Sequence, residues 1–171
     1  EFADLMLDVL LSYLALYFVD VAQVTESQAG IAITIWLALG LLTDFLFIPF
    51  IDRQPNSMKY LRLTAALELA AFSVFLVVPG FIPKLIAIVF VNLFNTGWYP
   101  ILQGRLYSSL PGQSASIMAI GSVTAPFAKI LPLLIGLLAD RFGLGIAIWV
   151  LLLGPLVLLI GLPRNNLPHR T

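Results

Sequence analysis

Six long apolar stretches run through this sequence of 171 residues and limit what it can fold into. They cover residues 3–18, 29–51, 58–78, 83–107, 112–138 and 143–161. A helix needs about 20 apolar residues to cross the hydrocarbon core of a bilayer. Only 11% of the residues are charged, against about 25% in a typical soluble domain. The sequence therefore predicts an all-α membrane protein with six transmembrane helices, surrounded by a lipid bilayer.

The residues that most enzymes and metal sites use are scarce. There is no cysteine, and the single histidine, His169, lies in the polar segment at the end of the sequence. A thiolate nucleophile and a multi-histidine metal centre are therefore excluded. Nine basic and nine acidic residues give a net charge of zero, which argues against a nucleic-acid partner. We expect no enzyme activity, no metal and no cofactor.

Lysine and arginine are unevenly divided between the two ends of the predicted helices. Successive helices cross the membrane in alternating directions, so the helix ends lie alternately on its two sides. Two basic residues, Lys84 and Arg141, fall on one side. The other side has Arg53, Lys59, Arg62, Arg105, Arg164 and Arg170. Cytoplasmic loops carry the excess of basic residues. We therefore expect a protein of the cell membrane with residues 163–171 as a cytoplasmic tail.

An Asp-Arg pair occurs twice, each time directly after an apolar stretch. Asp52 and Arg53 lie about half the sequence before Asp140 and Arg141, and each pair ends the second stretch of its own half. This pattern predicts a six-helix bundle over residues 1–162, built from two three-helix repeats, 1–80 and 81–162. The alternative is two unrelated charge pairs that anchor helix ends.

Three segments resemble the major facilitator superfamily of membrane transporters. PLLIGLLADRFGLGIAIW (132–149) is similar to the join between the fifth and sixth helices of one half. NLFNTGWYPILQGRLYSSLPGQSASIMAI (92–120) resembles the passage from the fourth to the fifth helix. FIPFIDRQPNSMKYLRL (47–63) resembles the family's loop between helices two and three, with Gln54 and Pro55 where a second glycine is usual. GLLTD (40–44) also fits the first half of that loop pattern.

The resemblance implies one six-helix half of a general-substrate transporter. The polar basic tail and the absence of a leader favour the C-terminal half. Its partner is then the N-terminal half of the same polypeptide or a second copy. The family implies alternating access, with a cavity lined by the first and fourth helices and lipid against the third and sixth. Asp52, Arg53, Asp140 and Arg141 are then candidates for conformational gating. Helix capping and charge anchoring are the alternative, which we favour for Asp140.

Polar residues on the fourth stretch form one stripe roughly 100° wide on a helical wheel. They are Asn92, Asn95, Thr96, Tyr99 and Gln103. Such a stripe must face protein or water, since lipid would leave its amides without partners. It predicts a substrate cavity, with bonds that join helices as the alternative. Pro100 beside it permits a kink.

The first stretch supplies further candidates. Tyr13 and Tyr17 lie on one face, where they can stack on a substrate or anchor the membrane interface. Asp8 lies on an adjoining face, where it can carry a proton or belong to a solvated helix end.

Three more ionisable residues lie inside predicted spans, where a charge is costly. Lys129 is near the middle of the fifth stretch, and Asp44 and Glu68 are its candidate ion-pair partners. The interpretations that remain are a structural ion pair, binding of a substrate or proton, and snorkelling of the lysine to the interface. Family geometry implies that Glu68 faces lipid.

The function we expect is secondary active transport of a small organic solute, either coupled to protons or as plain uniport. The alternative is a six-span protein that acts as a homodimer, channel or scaffold without transport of its own. A channel would be expected to show a repeated filter or a ring of charges, and the sequence has neither pattern. The identity of the solute does not follow from the sequence.

Overall fold

The described fold consists of helices joined by short turns. The computed structural model describes residues 2–51 and 57–162, and for residues 2–6, 44, 47–51, 117, 120 and 123–129 it describes the backbone alone. In chain order the helices are α1 (Phe2–Leu16), α2 (Glu26–Ile51), α3 (Ser57–Val77), α4 (Phe81–Asn95), α5 (Trp98–Ser109), α6 (Ser114–Phe142), α7 (Leu144–Ala147) and α8 (Leu153–Gly161). A π-helical turn, Tyr17–Val21, extends α1, and a 3₁₀ turn, Ile148–Leu152, joins α7 to α8.

These helices follow the predicted apolar stretches, except that the fourth stretch is broken. Thr96 and Gly97 form a turn that divides it into α4 and α5. Among the described residues, four helical stretches are long and apolar enough to cross a membrane: Glu26–Thr43, Ser57–Val77, Phe81–Ser109 and Leu144–Gly161. The predicted stretches 3–18 and 112–138 are also helical, but they are not among these four.

The outer surface of the helices is strongly apolar. Phe45 and Ile160 are each 82% exposed, and Leu41 is 75% exposed. A soluble protein rarely leaves a continuous apolar surface in water, whereas lipid solvates such side chains at no cost. The structure therefore has the surface of an all-helical membrane protein.

The helices pack around two apolar clusters. α3 packs along α4, and α4 also contacts α2; α1 contacts α2, α6 and α8, and α8 contacts α3. The larger cluster joins these helices through residues such as Leu10, Phe72 and Ile88. The smaller one contains Leu61, Ala65, Trp98, Ile101 and Leu162.

Contacts between helix termini define two ends of the bundle. At the first end, Gly145 lies against Val21, whose Cγ1 is 3.3 Å from where a Cβ at position 145 would lie. At the second end, Nη2 of Arg62 donates a hydrogen bond to the Leu162 carbonyl oxygen at 3.1 Å. α1 and α3 therefore finish, and α2 and α4 begin, at the first end.

Tyr13 joins α1 to α6. Its hydroxyl donates a hydrogen bond to the carbonyl oxygen of Pro132 at 2.8 Å. Gly136 lies one turn further along α6, and a Cβ there would be 3.0 Å from the Tyr13 oxygen. That separation is tighter than ordinary van der Waals contact, so the close approach of the two helices depends on glycine at position 136.

We expect Gly136→Ala to destabilise the bundle. The added methyl group displaces the Tyr13 hydroxyl and weakens a hydrogen bond worth about 1 kcal/mol. Gly104→Ala on α5 is the matched control, because nothing lies within 4 Å of a Cβ there. Thermal unfolding in detergent should show a lower midpoint for Gly136→Ala than for the control. In a Tyr13→Phe background the difference should shrink; an equal difference in both backgrounds would contradict this role of Tyr13.

Candidate functional site

A cavity of about 450 Å³ lies between α1, α2 and the junction of α4 and α5. It lies near the middle of the bundle's length, because the residues that line it come from the middle of α2 (36–43) and from the junction of α4 and α5 (92–100). Its lining consists of Leu7, Asp8, Trp36, Gly40, Thr43, Asn92, Asn95, Thr96, Gly97, Trp98, Tyr99 and Pro100. Asp8, Tyr99 and Pro100 are exposed, so the cavity opens on their side. Small-molecule pockets measure about 300–1,000 Å³, so a small solute fits.

The break between α4 and α5 has a clear physical cause. Gly97 has a φ of +86°, a left-handed conformation that favours glycine. Pro100 has no N–H to bond the carbonyl of Thr96, four residues before it. The hydroxyl of Tyr60 on α3 donates to that carbonyl oxygen instead, at 3.0 Å. The backbone can therefore leave the helix at this point without leaving an acceptor unpaired.

Trp98 holds the beginning of α5 against α3. Its side chain is 1% exposed, and Nε1 donates a hydrogen bond to Oγ1 of Thr64 at 2.9 Å. Its neighbour Tyr99 is 50% exposed. The anchored tryptophan thus fixes the position of Tyr99 in the lining of the cavity.

The polar atoms of the lining differ in whether they already have partners. Nδ2 of Asn92 donates to the carbonyl oxygen of Trp36 at 3.3 Å, and Oγ1 of Thr96 donates to that of Asn92 at 3.2 Å. Nδ2 of Asn95 is buried and has no hydrogen-bond partner among the described residues. An unpaired buried donor costs about 1–3 kcal/mol. Asn95 can therefore gain a hydrogen bond from a solute, and the Asp8 carboxylate can accept one.

The structure brings most of the predicted polar stripe together. Asn92, Asn95, Thr96 and Tyr99 all line the cavity, whereas Gln103 is half-buried on α5 outside it. The helical wheel assumed one continuous helix, and the turn at positions 96–97 changes the direction of every residue after it. Sequence reasoning did not assign Trp36, Gly40 or Thr43 to a cavity: Trp36 carried no signal beyond being part of an apolar stretch, and Gly40 and Thr43 were noted only within the GLLTD segment.

Neither predicted tyrosine of α1 lines the cavity. Tyr13 bonds α6, as described above, and Tyr17 is 1% exposed, inside the bundle. Asp8, one of the coupling candidates, does line the cavity. Helical spacing puts Asp8 and the two tyrosines on adjoining faces of α1. Of these three residues, only Asp8 lines the cavity.

The other ionisable candidates are placed as follows. Glu68 is 0% exposed, on the buried face of α3, so the implied position against lipid is wrong. The side chains of Asp44 and Lys129 lie outside the described part of the structure, and so do Asp52 and Arg53 altogether.

The second Asp-Arg pair is at the surface. Asp140 and Arg141 are both exposed in the last turn of α6, and the guanidinium of Arg141 is 5.7 Å from the Phe142 ring centroid. These positions agree with anchoring of a helix end. Within the described ranges, no three His, Asp or Glu residues lie together as a metal ion would need.

Lys84 makes two side-chain hydrogen bonds at the first end. The sequence predicted only that it is one of two basic residues on one side of the membrane. Lys84 is only 5% exposed. Its Nζ donates hydrogen bonds to the Tyr17 hydroxyl at 3.0 Å and to the carbonyl oxygen of Phe75 at 2.7 Å. Pro79 has no N–H for that carbonyl, so the lysine supplies the missing donor.

Aromatic rings surround the Lys84 ammonium group. Nζ lies 5.0 Å from the ring centroid of Tyr17 and 5.1 Å from that of Phe75, which are themselves 5.0 Å apart. Such contacts stabilise a desolvated cation by about 2 kcal/mol. Phe18 packs edge-on against Phe75 at 5.9 Å and closes the cluster. Lys84 thereby ties together the first-end termini of α1, α3 and α4.

We expect Lys84→Met to lower the stability of the protein clearly more than Lys59→Met does. The first change leaves the Phe75 carbonyl and the Tyr17 hydroxyl without their partner, at about 1–3 kcal/mol for each buried group. Lys59 is exposed on α3 and serves as the control. Tyr17→Phe, which keeps the ring and removes the hydroxyl, should fall between the two. Unfolding in detergent, followed by circular dichroism, measures all three; similar midpoints for both lysine variants would refute the assignment.

No family model, no curated protein and no solved structure matches the chain.

Proposed function

We propose that this chain is one six-helix half of a transporter of the major facilitator type, and that it moves a small organic solute across the cell membrane by alternating access. The observation that carries the proposal is the cavity beside the broken helix. Substrate sites of secondary transporters lie near the bilayer midplane, where interrupted helices present polar groups. The junction of α4 and α5 has this form, with Asn95, Thr96 and Tyr99 in the lining.

The helix contacts support two three-helix repeats, residues 1–80 and 81–162. Suppose that α1 is exchanged with α4–α5, α2 with α6, and α3 with α7–α8. Under this exchange the observed contact of α2 with α4 corresponds to the observed contact of α6 with α1. The contact of α3 with α4 corresponds in the same way to the contact of α8 with α1. The contact of α1 with α2 becomes that of α5 with α6, and α3 with α8 maps onto itself. Inverted repeats predict such an exchange.

The open side of the cavity supports a partner. Asp8, Tyr99 and Pro100 are exposed there, so this bundle encloses a solute only in part. An N-terminal half of the same polypeptide, or a second copy, would complete the enclosure. Rocking of the two against each other would then change the side from which the cavity is reached.

The charges of the two ends support an orientation with the second end, and therefore the tail, in the cytoplasm. Lys59 and Arg105 are exposed and Arg62 is half-buried at the second end. At the first end Lys84 is buried, and acidic residues accompany the exposed Arg141. This is the distribution that the positive-inside rule associates with a cytoplasmic second end.

Transport is tested in lipid vesicles with the natural polypeptide that contains this chain, so that the proposed partner half is present. We expect uptake of some members of a mixture of small polar solutes, saturation with concentration, and acceleration by the same solute on the opposite side. Acceleration from the opposite side identifies alternating access, since a channel does not show it. Absence of uptake above protein-free vesicles would overturn the proposal.

Asn95→Leu should lower that uptake by about tenfold or more, because the variant loses a hydrogen bond in a site shielded from water. Gln103→Leu is the matched control, since Gln103 is polar and half-buried but lies outside the cavity. The detergent unfolding midpoint of each variant checks that the bundle is intact. Equal uptake by the two variants would remove the cavity from the transport pathway.

The orientation is tested by cysteine labelling, since the natural sequence contains no cysteine. Ser27 at the beginning of α2 and Ser114 at the beginning of α6 are both exposed, at the first and second ends. In intact cells, a maleimide that cannot cross membranes should label Ser27→Cys and not Ser114→Cys. Both should react after the cells are opened. The reverse pattern in intact cells would place the second end outside.

A further inference from the structure

The cavity lining has a negative charge and no described positive one. Asp8 is the single charged side chain among the described residues that form it. It is exposed to the cavity opening, so it can keep its hydration until a solute arrives. A carboxylate in such a place attracts a cation and repels an anion, and the low dielectric of the surrounding protein strengthens both effects.

Aromatic residues of the lining favour the same class of solute. Trp36 on α2 and Tyr99 on α5 both border the cavity. The faces of tryptophan and tyrosine rings attract organic cations, including quaternary ammonium groups, through their quadrupoles. A strongly hydrated inorganic ion would gain little from these rings, so the lining suits an organic cation.

The amide of Asn95 indicates a second property of the solute, an oxygen that accepts a hydrogen bond. Its Nδ2 is a buried donor with no partner among the described residues, whereas that of Asn92 already bonds the Trp36 carbonyl. A hydroxyl or carbonyl oxygen of a bound solute would satisfy this donor once rotation of the Asn95 side chain turns Nδ2 to the cavity surface. The site thus combines a carboxylate at the opening with a hydrogen-bond donor in its wall.

We propose that the cavity binds a small organic cation that also has an uncharged oxygen acceptor, with Asp8 facing the cationic group and Asn95 donating to the oxygen. This inference rests on the proposed transport function and names its class of solute. The volume of about 450 Å³ admits molecules of the size of an amino alcohol or an aromatic amine.

A reporter cysteine in the cavity tests binding separately from transport. A Cβ at position 40 would lie 3.8 Å from Nδ2 of Asn92, an ordinary contact, so Gly40→Cys places a thiol at the cavity without a clash. Gly104→Cys on α5 is the control outside the cavity, with nothing within 4 Å of its Cβ. The full chain in membrane vesicles is treated with a small maleimide in the presence of each probe.

The probes are matched pairs that differ in charge: choline with 3,3-dimethylbutan-1-ol, and tyramine with 4-ethylphenol. We expect at least one cation to protect Gly40→Cys at concentrations about tenfold or more below its uncharged counterpart. No probe should protect Gly104→Cys. Adding Asp8→Asn should remove the difference within the pair. Adding Asn95→Leu should weaken protection by choline more than protection by tetramethylammonium, which has no oxygen.

Two results would overturn the inference: equal protection by the charged and uncharged members of both pairs, or protection by a cation that Asp8→Asn leaves unchanged. Its failure is distinguishable from that of the proposed function. If vesicles take up a solute but protection does not depend on the charge of the probe, the transport function is retained and the preference for a cation is rejected. Protection that depends on Asp8, in vesicles that take up no solute of the mixture above protein-free vesicles, would retain the cation site and reject transport.

Discussion

In hydrocarbon no water replaces a missing backbone hydrogen bond, and this constraint accounts for how the bundle is held together. Pro79 and Pro100 each deprive a carbonyl of its usual helical donor. Side chains of other helices, or of other turns, supply the donor at those two places, and three further side chains donate to backbone carbonyl oxygens elsewhere. The pairs are Tyr13 with Pro132, Tyr60 with Thr96, Arg62 with Leu162, Lys84 with Phe75 and Asn92 with Trp36. Polar residues in this protein therefore act first as links between helices.

Those links help to separate structural from functional polar residues. A side chain whose donors are used by a carbonyl has little left for a solute, and Asn92 is close to that case. Asn95, one turn further along, keeps a buried donor that no described residue uses. Asp8 adds an acceptor at the opening of the same cavity. Asn95 and Asp8 are thus the candidate binding residues for two reasons: both line the cavity, and both have hydrogen-bonding capacity left for a solute.

The sequence predicted the helical stretches well, because twenty consecutive apolar residues leave few alternatives. It also predicted four residues of the cavity, since a polar stripe in an apolar helix must face inward. Gln103 does not line this cavity, because the turn at Gly97 interrupts the helical period on which the stripe was based. The sequence placed Lys84 among the basic residues on one side of the membrane and did not predict its burial, because only the tertiary contacts with Tyr17 and Phe75 show that a lysine near a helix terminus is enclosed.

The same links also limit how the protein can move. Tyr13 joins α1 to α6, Asn92 joins α4 to α2, and Lys84 joins α4 to α1 and α3. Separating any of these pairs in a membrane would leave the donating side chain without its acceptor and without water, so the free energy of such a motion is unfavourable. We therefore expect the bundle to move as one body. In the mechanism that we propose, a solute held between Asp8 and Asn95 lies at the open edge of that body, and access to the solute changes when the bundle rocks against its partner. Rearrangement of its own helices is not needed.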